Sequence, residues 1–167
     1  RTPMNAVIGM TSLLIETDMN QEQRDYAATI RSSGHHLLTL INDILDFSKL
    51  EAQRLELDVQ PFSIQACVED SMDLVAAKAA EKGLDLACVL DESVPPVILG
   101  DLGRFRQVLV NLLSNAVKFT ERGEVVVTLT AKRVENGQHE ILCDVSDTGI
   151  GIPADRIERL FQSFSQA

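Results

Sequence analysis

The sequence predicts an α + α/β architecture: an antiparallel helical hairpin over residues 1–58, followed by a two-layer α/β sandwich over residues 61–167. Three observations support this division. Apolar residues recur at spacings of three and four through the first part, as in amphipathic helices. Gln60-Pro61 interrupts this pattern, and helices usually end before a proline. After the proline, helix-like segments alternate with strand-like runs, which is typical of helices packed on a sheet.

The hairpin is predicted from two helices, over residues 4–17 and 21–56, joined by the polar segment Thr17-Asp18-Met19-Asn20. A hairpin alone cannot bury both of its apolar faces. One expectation is therefore that two copies form a four-helix bundle and the protein is a homodimer. The alternative is an ordinary helical pair packed on its own domain, and periodicity alone does not decide between the two.

The second part changes repeatedly between helical and strand periodicity, which predicts the sandwich. Asp101 suits the N-cap of one helix, Gly83 suits the C-terminal end of another, and Asn136-Gly137 indicates a turn between two strands. The predicted elements are, in chain order, an extended segment at 62–64, a helix at 65–82, strands at 84–90 and 97–99, a helix at 102–119, and strands at 124–133 and 140–145.

Composition argues against several classes of protein. The 15 Lys and Arg against 25 Asp and Glu give a net charge of −10, which disfavours nucleic-acid binding because that needs a basic face. No apolar run reaches the roughly 20 residues of a membrane span, so we expect no membrane contact from this segment.

Cys67, Cys88 and Cys143 form no CxxC pair. We expect buried free thiols in a reducing cytoplasm rather than disulfides or a zinc site.

The predicted helix 102–119 has a polar stripe, formed by Gln107, Asn111, Asn115 and Lys118 at spacings of four, four and three. Asparagine is unfavourable inside a helix, whereas its amide oxygen suits Mg²⁺, which usually keeps phosphate oxygens and waters in its shell. A lysine one turn further can neutralise phosphate charge. A solvated polar face is the simpler alternative. The residues expected on the core face are Phe105, Val108, Leu109, Leu112, Leu113 and Ala116.

A glycine-bearing loop, Asp147-Thr148-Gly149-Ile150-Gly151, follows the last predicted strand. Two glycines two residues apart allow close approach of a ligand to the backbone, and Asp147 can accept a hydrogen bond from an exocyclic amine. A tight turn explains the same pattern. The chain has no GxxxxGK[ST] motif, so any nucleotide site here is not a P-loop.

Together these segments resemble the motifs of sensor histidine kinases, in the style of the bacterial hybrid kinases. NLLSNAVKFT at 111–120 resembles their asparagine box, DTGIG at 147–151 their first glycine box, and FQSF at 161–164 their phenylalanine box. RTPMN at 1–5 resembles the end of their histidine box, and LDFSK at 45–49 the end of their hairpin. The motifs occur in the order of the family and span nearly the whole chain.

The resemblance implies a site for ATP and Mg²⁺. Asn115 is expected to coordinate Mg²⁺ with support from Asn111, and Lys118 is expected to contact phosphates. Phe119 should lie beside the adenine, and Asp147 should bind the adenine amino group.

Four further residues acquire roles from the same resemblance. Gly149 and Gly151 are expected to shape the nucleotide pocket. Phe161 and Phe164 are expected to anchor a lid over ATP, although an ordinary place in the core is an equal alternative for both.

The resemblance also implies an activity: autophosphorylation of a histidine by ATP, then transfer to an aspartate of a response regulator that docks near residues 5–14. The family's histidine lies three residues before the position of Arg1, outside this chain, as does its second glycine box. We therefore expect a piece of a longer protein, truncated at both ends and unable to autophosphorylate. Neither His35 nor His36 is expected to replace that histidine. Thr2 matches the position that assists dephosphorylation of the regulator; an ordinary N-terminal helix residue is the alternative.

Two other functions compete with this interpretation. One is a gyrase-like or mismatch-repair-like ATPase of the same superfamily, against which the hairpin argues. The other is a non-catalytic dimerisation and docking module, which the intact polar stripe and DxGxG loop disfavour. A cytoplasmic location is expected for this segment, and the parent protein could still be membrane-anchored.

Overall fold

A computed structural model describes residues 2–52, 54–134 and 138–157. The chain divides into two compact units, Arg1–Glu56 and Leu57–Ala167. The first is all-helical and the second combines helices with sheets, so the predicted fold class is confirmed. None of the described helices is long and apolar enough to cross a membrane.

The first unit is an antiparallel hairpin of α1 (Thr2–Ile15) and α2 (Gln21–Glu51). A capping box begins α2: Asn20 Oδ1 accepts from the Gln23 N–H at 2.9 Å, and Gln23 Oε1 accepts from the Asn20 N–H at 3.1 Å. This cap separates the helices where the polar segment predicted a break. The second helix ends at Glu51 rather than at residue 56.

The two helices of the hairpin approach each other closely at Gly34. This residue is buried, and a Cβ added to it would lie 2.9 Å from Ile8 Cγ1. The mid-helix glycine is therefore explained by packing, because no larger residue fits without displacing the Ile8 side chain.

One face of α2 remains exposed. Along it, apolar side chains recur at spacings of four and three, interrupted by Ser33, and Leu40 is 58% exposed. We call this face the α2 seam; its apolar members are Tyr26, Ile30, Leu37, Leu40, Ile44 and Phe47. The seam differs from the side of α2 that packs on α1, where Ala27 is 1% exposed.

The second unit packs a layer of two helices on a three-stranded sheet. In the sheet β4 is central, parallel to β2 and antiparallel to β5. A separate antiparallel ribbon pairs β1 with β3. The elements are β1 (Gln60–Phe62), α3 (Ile64–Lys82), β2 (Asp85–Leu90), β3 (Ile98–Gly100), α4 (Leu102–Phe119), β4 (Glu124–Arg133), β5 (His139–Asp147) and α5 (Ala154–Ile157).

The core lies between the two helices and the inner face of the sheet. Alternate residues of β4 point into it, as the two-residue period of a strand requires. The largest apolar side chains that are fully buried there are Ile64, Val68, Leu109, Leu113, Val117, Val125, Val127 and Leu129.

Two residues predicted for the core face of α4 do not lie in the core. Val108 is 61% exposed and Leu112 is 45% exposed. The buried face is centred on Leu109, Leu113 and Ala116, and one residue of sequence corresponds to a turn of about 100° around a helix. Val108 and Leu112 therefore point away from the core.

Other boundaries differ only slightly from the predictions. The first strand lies at residues 60–62 rather than 62–64, because Ser63 instead caps α3 by accepting from the Ala66 N–H at 3.3 Å. Gly83 ends α3 in the left-handed conformation, with φ of 69°. The last strand continues to Asp147 rather than to residue 145. Asn136 and Gly137 lie outside the described residues.

All three cysteines are free, but only Cys67 is buried. Cys143 is half-buried, and burial raises the pKa of its thiol to about 11. Cys88 is exposed, which contradicts the expectation of three buried thiols. It lies on β2, an edge strand of the sheet.

Replacing each of the two helical glycines of the hairpin by alanine should change the stability of the protein in opposite directions. At Gly9 a Cβ meets nothing within 4 Å, so Gly9→Ala should raise the free energy of unfolding by up to about 1 kcal/mol through helix propensity. Gly34→Ala should lower the melting temperature because its Cβ collides with Ile8. Thermal unfolding followed by circular dichroism at one protein concentration measures both. Equal stability of the two variants would contradict the packing argument.

The cap of α4 should make stability depend on pH. Asp101 Oδ1 accepts from the Arg104 N–H at 3.0 Å, and Oδ2 accepts from the Asp58 N–H at 3.1 Å. Both bonds lower the pKa of Asp101 below its ordinary value of 3.8, and the bond from the Arg104 N–H has the larger effect. The stabilisation is therefore present above the ordinary pKa and is lost as pH falls through the lowered pKa.

Urea unfolding at pH 6 and pH 3 tests this dependence. Asp101→Asn keeps an acceptor but no longer titrates, so it should lose less stability between the two pH values than the wild type. Asp73→Asn, an exposed carboxylate in α3, is the control and should follow the wild type. An unchanged pH dependence in Asp101→Asn would refute the assignment.

Candidate functional site

The C-terminal end of α4 meets the loop that follows β5. The Ile150 N–H donates to Phe119 O at 3.4 Å, and Thr120 Oγ1 donates to Asp147 Oδ1 at 3.5 Å. Thr120 is completely buried. We call Phe119, Thr120, Asp147 and Gly149 the helix–loop site.

Asp147 has one oriented carboxylate oxygen. Oδ1 accepts from the Gly149 N–H at 2.8 Å in an Asx turn, in addition to the Thr120 bond. Oδ2 has no hydrogen-bond partner among the described residues, and the side chain is exposed. The carboxylate is thus held on one side and able to accept a hydrogen bond on the other.

The two glycines of the loop serve different needs. A Cβ at Gly149 would lie 2.6 Å from Phe119 O, 2.8 Å from Asp147 Oδ1 and 2.9 Å from Thr120 Oγ1. Only glycine therefore lets the loop approach the helix so closely. At Gly151 a Cβ has open space, but φ is +65°, which favours glycine for its backbone conformation.

Thr148 attaches the same loop to the start of β4. Its Oγ1 accepts from the Glu124 N–H at 3.0 Å, and its own N–H donates to Glu124 O at 3.2 Å. A Cβ at Gly123, where φ is +113°, would overlap Thr148 Oγ1. The observed position of the Thr148 side chain therefore requires glycine at residue 123.

The asparagines of the polar stripe are exposed on α4. Neither Asn111 nor Asn115 has a hydrogen bond to the loop among the described residues; the connection runs through Phe119 and Thr120. Lys118 Nζ lies 4.8 Å from the centroid of the Phe119 ring, which is 47% exposed. The stripe thus leads along the helix to the helix–loop site.

No metal centre is built from charged side chains in the parts of the chain that the structure describes. No three His, Cys, Asp or Glu residues cluster there in a way that could hold an ion. A cation bound beside α4 would need amide oxygens from the polar stripe and further ligands from a bound molecule.

The remaining predicted residues lie elsewhere. Thr2 is exposed at the first position of α1, and His35 and His36 are exposed within α2. Phe161 and Phe164 fall outside the described residues.

Three residues were not predicted to shape the site. Thr120 and Thr148 stood inside recognised motifs without a role of their own. Lys82 Nζ donates to three carbonyl oxygens at the end of α4. Sequence spacing holds no signal for this contact, because Lys82 reaches the end of α4 only through the packing of α3 on α4.

Two family models match the chain. Residues 100–167 match the "Histidine kinase-, DNA gyrase B-, and HSP90-like ATPase" family, and residues 1–53 match the "His Kinase A (phospho-acceptor) domain". The first match alone is compatible with a gyrase-like protein, whereas the pair of matches favours a histidine kinase.

Curated relatives agree with the pair of matches. Hybrid signal transduction histidine kinase L of Dictyostelium discoideum is 41% identical over 100% of this chain and 10% of its own length. Signal transduction histidine-protein kinase BarA of Escherichia coli (strain K12) is 42% identical over 100% of this chain and 18% of its own length. The chain therefore spans less than a fifth of either relative.

Solved structures share the fold. Full-length ShkA, in complex with AMPPNP, has a TM-score of 0.80 and 42% identity over 99% of this chain and 35% of its own. ThkA, in complex with the response regulator protein TrrA, has a TM-score of 0.57 and 20% identity over 99% of this chain and 48% of its own, and shows likeness of fold alone. With both units matched in one chain, the protein belongs to the histidine kinase family.

Proposed function

We propose that this chain is part of the core of an ATP-dependent sensor protein-histidine kinase and that the helix–loop site binds ATP. The observation that carries the proposal is the Asp147 carboxylate, which Thr120 and Gly149 hold by one oxygen at the end of α4, where the Phe119 side chain is 47% exposed. Adenine has an amine donor that complements Oδ2 and a flat ring that can stack on phenylalanine. The complex of the 42% identical ShkA with the ATP analogue AMPPNP supports this assignment.

Mg²⁺ is proposed to bind between the polar stripe and the phosphates of ATP. Asn115 would be its protein ligand, supported by Asn111, and the phosphate oxygens would complete much of the shell. Mg²⁺ is often held by few protein ligands plus substrate phosphates, so one or two amide oxygens of α4 could be enough. Lys118 would leave the Phe119 ring to neutralise phosphate charge.

The reaction proposed is transfer of the γ-phosphoryl group from ATP to an imidazole nitrogen of a histidine, with release of ADP. The phosphoryl group then passes from that nitrogen to an aspartate carboxylate of a response regulator. The acceptor histidine is proposed to lie outside these 167 residues, because residues 1–5 match the end of the histidine box. Catalysis of this kind is mainly positioning and charge neutralisation, which suits amides, one lysine and a cation.

The hairpin is proposed to dimerise and to receive the regulator. The α2 seam has the four–three spacing of a bundle interface, and it exposes apolar side chains such as Leu40, which is 58% exposed. A second copy provides an identical seam.

The regulator is proposed to dock along α1, where Met10 is 70% exposed, with Thr2 assisting dephosphorylation. Residues 1–58 would thus form the dimerisation and phosphotransfer domain and residues 61–167 part of the ATP-binding domain, both in the cytoplasm.

Replacing the proposed metal ligand tests the ATP site. In the full-length protein, Asn115→Ala should lower the affinity for ATP in Mg²⁺ at least about tenfold, since an amide ligand of the charged ion is lost, and should leave the affinity in EDTA unchanged. Isothermal titration with both buffers separates the two effects. Ser114→Ala, at an exposed neighbouring residue of α4, is the control. Equal Mg²⁺-dependent affinity in Asn115→Ala would remove this residue from the metal site.

The close approach of loop and helix should be essential for binding. Gly149→Ala should lower ATP affinity at least about tenfold, because a Cβ at 2.6 Å from Phe119 O must separate Asp147 from the helix end. The matched control is Gly103→Ala, where a Cβ lies 3.4 Å from its nearest neighbour, Asp101 Oδ1. Circular dichroism verifies folding of both variants. Normal ATP affinity in folded Gly149→Ala would show that the site lies elsewhere.

A further inference from the structure

The C-terminal end of α4 is held by a side chain of α3. Lys82 Nζ donates to Val117 O at 2.8 Å, to Lys118 O at 2.9 Å and to Thr120 O at 3.0 Å. The ammonium also lies 3.8 Å from Glu121 Oε1. All three of its donors are therefore engaged at one helix end.

This contact solves a problem that every helix end presents. The last carbonyl groups of a helix have no partner within it, and the helix dipole places negative charge there. Glycine often supplies the solution by turning the chain, but here Thr120 is the C-cap, in an extended conformation with φ of −99°. Lys82 takes the place of a glycine cap, with its side chain only 25% exposed.

The segment that Lys82 holds is the one that forms the helix–loop site. Thr120 accepts from Lys82 through its carbonyl and donates to Asp147 through its hydroxyl. Phe119 lies between Lys118 and Thr120, whose carbonyl groups accept from Lys82. The carbonyl group of Phe119 accepts from the Ile150 N–H. A shift of the helix end would therefore move both partners of the loop.

We propose that Lys82 is a positioning residue for nucleotide recognition: by fixing Thr120, it orients the Asp147 carboxylate toward the exocyclic amine of adenine. This inference rests on the ATP site proposed above. Lys82 bonds to the backbone carbonyls of Val117, Lys118 and Thr120 and to no side chain that is proposed to contact the phosphates. Its loss should therefore weaken selection of the base more than attraction of the phosphates.

Base selectivity in the full-length protein tests this role. Inosine triphosphate has a carbonyl oxygen where ATP has the amine, so it should bind about a hundredfold more weakly than ATP. Lys82→Met should reduce that preference about tenfold, and Lys82→Arg, which keeps charged donors, should restore most of it. Lys78→Met, an exposed lysine one turn earlier on α3, is the control and should keep the full preference.

A parallel measurement separates the inference from the ATP site itself. Asp147→Ala should abolish the preference for ATP; if it does not, the ATP site is wrongly placed. If Asp147→Ala abolishes the preference while folded Lys82→Met retains it, the lysine has only a structural role and the inference fails. Should Lys82→Met not fold, Lys82→Gln, which keeps a neutral donor, replaces it. A roughly threefold loss of preference in the glutamine variant supports positioning, and the wild-type preference refutes it.

Discussion

The close approach of the loop after β5 to the end of α4 is the constraint on which the site depends. Phe119 O, Thr120 Oγ1 and Asp147 Oδ1 all lie within 2.9 Å of where a Cβ at Gly149 would stand. The glycine therefore sets how closely the end of α4 and the Asp147 carboxylate, which belong to different secondary elements, approach each other. Buried Thr120 and the Lys82 contacts hold the helix side, and Thr148 holds the loop side.

The site combines a rigid part with an open part. The helix–loop site is fixed by backbone and side-chain hydrogen bonds, whereas the asparagines of the polar stripe project from an exposed helix face. Such a division suits the proposed binding of ATP: preorganised groups would select the base, and the phosphates would supply most ligands of a cation held by few protein residues. Lys118, which lies over Phe119, connects the two parts.

The two units are stabilised in different ways. The sandwich encloses a core between its helices and sheet, so its stability comes from burial within one chain. The hairpin buries little besides the contact line around Ala27 and Gly34 and leaves the α2 seam exposed. A second copy on the seam, as proposed, would supply the missing burial and would make assembly part of the folding of the hairpin.

By itself the sequence determined the order and type of the main elements and the candidate residues of the site, because periodicity, caps and glycines act locally: Asp101, Gly83 and the bounds of α4 and β4 followed from neighbours in the chain. Only the tertiary structure decided which of two adjacent apolar residues faces the core, as with Leu109 and Val108, and that Cys88 is exposed. It alone showed Lys82 beside α4, since a bond between residues 82 and 120 depends on how two helices pack rather than on their separation in sequence.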